Sequence, residues 1–141
     1  MNSLWIYRAA MAVLAVSGVA QMPVFKRYGI ASIPGLGWTA DYFFTHRLHY
    51  GAAALLLFWL ARRLLLGGPA ALGRARLALL GALVLTGAIR VLKNLPEVDF
   101  SPLTVMLVDW THLAAAMAIG LAALAVLAKR RAGARAPINR L

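Results

Sequence analysis

The chain has no cysteine among its 141 residues. That absence excludes disulfides, thiolate-bound zinc, cysteine-ligated iron–sulfur clusters and covalent c-type haem attachment, and it removes any reading of redox compartment. Acids are nearly as scarce: four Asp and Glu stand against fifteen Lys and Arg, a formal net charge of +11. Charged residues of both signs make up 13% of the chain and hydrophobic ones 62%, with a mean hydropathy of +0.77. So few polar residues cannot clothe a water-soluble core, and the apolar residues fall in long runs, so the composition specifies an integral membrane protein. The basic residues flank those runs, which membrane topology explains and nucleic-acid binding does not. No phosphate loop or nucleophile–base pair is recognisable, which makes an autonomous enzyme the weakest reading.

Four spans are predicted in a single transmembrane domain covering residues 1–141, at about 4–24, 39–66, 77–95 and 103–128. Met22-Pro23, Gly67-Gly68-Pro69 and Asn94-Leu95-Pro96 supply the stops. A short basic tail, KRRAGARAPINRL, is too polar to insert. The fold class expected is therefore all-α, an integral membrane four-helix bundle. Arg8, Arg62, Arg63, Arg74, Arg76, Lys129, Arg130, Arg131, Arg135 and Arg140 gather on one side, and Lys26, Arg27, Arg47, Arg90 and Lys93 on the other. The imbalance puts both termini in the cytoplasm of a multi-pass inner-membrane protein.

All three histidines fall inside predicted spans, where ionisable groups are costly and usually functional. Counted from the outer helix ends, His46 and His49 lie roughly 9 and 14 Å deep on the second span, and His112 roughly 14 Å deep on the fourth. Two imidazoles at matched depth on different helices are what the axial ligation of one haem b requires. The pair is His112 with either His49 or His46. Depth favours His49, and the unused histidine is left to bond a propionate or a quinone carbonyl. Arg47, Arg90 and Lys93 are the cations available to haem propionates. Asp109 is expected to pair with Arg90 as structural glue. Each helix has a glycine near its middle, Gly18, Gly51, Gly87 and Gly120, which helix packing explains more readily than a macrocycle does. Tyr42, Tyr50 and Trp110 suit interfacial anchoring, or the border of a quinone pocket.

HRLHYGAAALLLFWLARRLL on the second span and DWTHLAAAMAIGLAAL on the fourth resemble the small four-helix membrane cytochromes of the bacterial cytochrome b561 superfamily, which includes the cytochrome b subunits of formate dehydrogenases and nickel–iron hydrogenases. The resemblance implies a non-autonomous electron-transfer subunit that passes electrons between a membrane quinone or quinol and a partner redox subunit. Such a partner would be an iron–sulfur or multihaem protein docked on the periplasmic side. The chain departs from relatives with two haems, because three histidines allow at most one bis-histidine haem, and the first span has none. Two other classes compete. One is a haem-free membrane anchor or assembly subunit whose histidines join helices. The other is a small transporter or channel using Asp109, His112, Arg47 and Arg90, against which the uniformly apolar inner halves of the helices speak.

Overall fold

In hydrocarbon every backbone N–H and C=O must find a partner within its own segment, so each apolar run folds as a helix. A computed structural model of the protein describes residues 3–22 and 28–134. Its long helices are α1 (Ser3–Ala20), α2 (Tyr42–Gly67), α3 (Arg74–Leu92) and α4 (Pro102–Ala134), with single 3₁₀ turns at Ile30–Ser32, Gly37–Ala40 and Pro69–Ala71. Among the described residues there is no strand. Three of the helices, α2, α3 and α4, are long and apolar enough to cross a membrane. The apolar α1 has 18 residues and spans about 27 Å at 1.5 Å per residue, a little short of the hydrocarbon core.

Helix ends differ from the sequence expectation for local reasons. The first helix ends at Ala20 rather than 24, and Pro23, Val24, Lys26 and Arg27 lie outside the described residues, as do Arg135 and Arg140. The second begins at Tyr42, not 39, because Asp41 caps it: its side chain accepts the Phe44 N–H at 2.9 Å. Gly68 ends it at φ 65°, a conformation other residues resist. Helix α3 is shifted about one turn toward the N-terminus of the expected 77–95. Helix α4 continues past 128 to Ala134, since Lys129, Arg130 and Arg131 are good helix formers and favour a helix C-terminus.

The chain forms two compact units, Met1–Ala71 and Leu72–Leu141, and each is an antiparallel helical hairpin. In the first, α1 and α2 run in opposite directions through Tyr7 on Trp59 (ring centroids 4.5 Å apart), Ser17 beside His49, and Gln21 Nε2 donating to the Thr45 carbonyl at 3.2 Å. Buried in it are small residues, Ala10, Ser17 and Ala20 on α1 and Thr45 and Ala52 on α2, with Leu56 beside them. Close backbone approach of this kind is how membrane helices pair without a hydrophobic driving force. In the second, Leu80 and Thr86 of α3 and Ala115 and Ile119 of α4 are buried. Large side chains such as Leu65, Leu85, Leu121 and Leu124 are exposed, the surface a bilayer would cover.

The two hairpins differ in how they sort charge. The open end of the first carries Arg8, Arg62 and Arg63. That of the second carries Arg74, Arg76 and the run Lys129–Arg131. By sequence the looped side of the first holds Lys26, Arg27 and Arg47, and that of the second Arg90 and Lys93. The second hairpin taken alone thus favours its open end in the cytoplasm, whereas the first, with three cations toward either end, gives no preference.

Candidate functional site

Polar side chains inside these helices are few, so where each one is spent can be followed. On α1, Ser17 is fully buried, and its hydroxyl lies 2.7 Å from the Val13 carbonyl one turn back and 2.9 Å from Nδ1 of His49 across the hairpin. On α3, Thr86 is buried in the same way, 2.6 Å from the Ala82 carbonyl and 2.8 Å from Nδ1 of His112. Serine and threonine in helices commonly bond the carbonyl at i−4. Here the same oxygen also meets an imidazole.

The residue after each hydroxyl is glycine, and its missing side chain is where the ring lies. A Cβ on Gly18 would stand 3.5 Å from Cε1 of His49, and one on Gly87 would stand 3.6 Å from Cε1 of His112. Gly51 and Gly120 face nothing within 4 Å. Of the four mid-helix glycines, two therefore bear on histidines and two do not.

His46 is placed differently from His49, although three residues apart on one helix. Its ring lies between Tyr42 (centroids 4.1 Å) and Tyr50 (5.3 Å), a ladder at i−4 and i+4 along α2. Tyr42 and Tyr50 are themselves exposed, as is Trp110. An apolar, open groove of about 430 Å³ on the first hairpin is lined by Ala12, Val13, Val16, Trp38, Phe44 and Leu48. None of the three aromatics expected to border a quinone lines it.

At the looped end of the second hairpin, Asp109 takes the two cations at the close of α3, with Arg90 Nη1 at 3.3 Å from Oδ1 and Lys93 Nζ at 3.7 Å from Oδ2. The Arg90–Asp109 glue expected from the sequence is present, with Lys93 joining it. Arg47 is exposed on α2. Among the described residues no three His, Cys, Asp or Glu side chains come together as a metal cluster. A site of three or more such protein ligands is therefore not formed there, whereas axial ligation of a haem asks for two imidazoles only.

Sequence reasoning did not single out Ser17 or Thr86. The signal was a hydroxyl–glycine dipeptide, Ser17-Gly18 and Thr86-Gly87, on the helix preceding each histidine-bearing helix. Compared with known proteins, the chain matches no family model, no curated protein and no solved structure. The likeness to membrane cytochromes b thus rests on residues 46–65 and 109–124 alone.

Proposed function

We propose that this chain is a membrane subunit of a larger complex, an anchor or assembly subunit whose paired helices are joined by histidine–hydroxyl bonds. The observation that carries this reading is that His49 and His112 each commit a ring nitrogen to a bond across their own hairpin, a use that polar side chains commonly have between membrane helices. Helices fill most of the described chain, which leaves little of it to act outside the bilayer.

A second reading has one specific observation in its favour. Both histidines are held through Nδ1, and a histidine held by one ring nitrogen ligates metal through the other. On this reading the donor set suits one bis-histidine haem b, with His49 and His112 as axial ligands and Arg47, Arg90 and Lys93 near the propionates. His46, between two tyrosine rings, is the weaker alternative to His49. The haem would supply one-electron transfer, and the protein would fix its ligands, exclude water and balance its charge. The chain would then relay electrons between the quinone pool and a periplasmic-side iron–sulfur or multihaem partner.

An oxidised-minus-reduced spectrum with pyridine haemochrome quantification separates the two. One b haem per chain, lost in His49→Ala and His112→Ala and kept in His46→Ala, establishes the cytochrome. A protein that assembles with its partners and carries no haem under haem-replete expression leaves the anchor.

A further inference from the structure

The two hairpins repeat one arrangement. A hydroxyl–glycine pair on the first helix faces a histidine on the second, with the same atoms in contact and distances that agree within 0.1 Å: 2.9 and 2.8 Å from hydroxyl to Nδ1, 3.5 and 3.6 Å from the glycine Cβ position to Cε1. The chain between partners differs, 32 residues from Ser17 to His49 and 26 from Thr86 to His112, so the likeness does not follow from similar loops. His46 has no counterpart in the second hairpin, where Asp109 holds the corresponding place three residues before the histidine.

The direction of these bonds follows from counting protons. A hydroxyl has one hydrogen to donate and two lone pairs with which to accept. The carbonyls of Val13 and Ala82 can only accept, and at 2.7 and 2.6 Å they are the shortest contacts that the two hydroxyls make. The hydroxyl hydrogen therefore goes to the carbonyl, and the bond to the imidazole has to be donated by the ring, Nδ1–H to oxygen. We propose that Ser17 and Thr86 are positioning residues. Each fixes its histidine as the Nδ1–H tautomer, so that Nε2 carries the lone pair, and the two hairpins are two copies of one imidazole-presenting unit.

What the lone pair serves rests on the cytochrome reading: an axial bond to the metal of a flat macrocycle. The chain N–H···O–H···O=C polarises along its length and makes Nε2 a stronger donor. Helix stitching needs only that the two groups bond, whichever of them donates. The fixed tautomer is thus the feature that stitching does not need.

The test uses the full chain in lipid nanodiscs, made in a haem-limited host with nitrogen-15 histidine. Two-bond proton–nitrogen correlation reads the tautomer of each ring at neutral pH, with His46→Gln to assign it. His49 and His112 are expected as Nδ1–H. Ser17→Ala should release His49 only, and Thr86→Val His112 only, while the conservative Ser17→Thr and Thr86→Ser restore the fixed form. Haem is then titrated into the same samples. Removing either hydroxyl is expected to weaken haem uptake by roughly 10–100-fold, the usual cost of losing a ligand's outer partner. A wild-type ring that is Nε2–H or mixed overturns the proposal, as does a tautomer indifferent to its hydroxyl. The wild-type spectrum decides even where an alanine variant does not fold. Fixed tautomers in a protein that takes up no haem overturn the cytochrome reading and leave the positioning role standing.

Discussion

Replacing Asp109 by Asn removes the one carboxylate that Arg90 and Lys93 share. At the 3.3 Å separation of Arg90 and Asp109 and an effective dielectric of about 20, the Coulomb attraction is about 5 kcal/mol. Little of this survives as net stability, because both side chains are 38% exposed; solvent screening and the ordering of long side chains bring exposed pairs to about 1 kcal/mol or less. The longer Lys93 contact, 3.7 Å, adds a smaller amount. Asp109→Asn is therefore expected to destabilise the α3–α4 hairpin by about 1–2 kcal/mol, between the values for exposed and buried pairs. Equilibrium unfolding of the full chain in mixed micelles with rising dodecyl sulfate measures it. Crossing the variant with Arg90→Gln isolates the pair, with a coupling of about 1 kcal/mol expected, falling as salt is raised. A coupling within about 0.3 kcal/mol of zero, the scatter of independent sites, would refute the view of this cluster as ion-paired glue.

Two further outcomes follow from the packing and the charge. Gly18→Ala and Gly87→Ala should be nearly neutral in the same unfolding assay, because the added Cβ meets its imidazole at 3.5 or 3.6 Å, an ordinary contact; Gly18→Val and Gly87→Val should displace the rings and cost about 1–3 kcal/mol as overpacking does. Replacing Arg62, Arg63, Arg74 and Arg76 by Gln should produce chains of mixed orientation. A carboxy-terminal alkaline phosphatase fusion, inactive on the wild type, reads this as a gain of activity, and silence in the variant counts against orientation by these arginines.

Fold class was legible because hydropathy alone forces helices in a bilayer, and the four apolar runs are cleanly separated by Gly and Pro. Asp109 with Arg90 was also legible, since opposite charges near one end of consecutive helices have few other partners. The hydroxyl partners of the histidines were not. Ser17 and Thr86 look like ordinary helix residues satisfied by their own i−4 carbonyls, and their second bond depends on the antiparallel register of each hairpin, which no local pattern encodes. The choice between His46 and His49 was open for a related reason. A spacing of three residues puts the two about 60° apart on one helix, and only the packing shows that one faces Ser17 while the other is flanked by tyrosines. Where α2 begins turned on a single side chain, Asp41, whose capping bond outweighs the apolar run that precedes it.

Because His49 and His112 each find a hydroxyl within their own hairpin, neither half has to wait for the other to satisfy that imidazole. During synthesis α1 and α2 leave the ribosome before α3, and their pairing is enough to place an already bonded imidazole in the lipid. The second half repeats the step. Membrane insertion thereby divides into two similar events, each lowering the cost of its own histidine, and any joining of the halves comes afterwards between parts that are individually fit to reside in a bilayer.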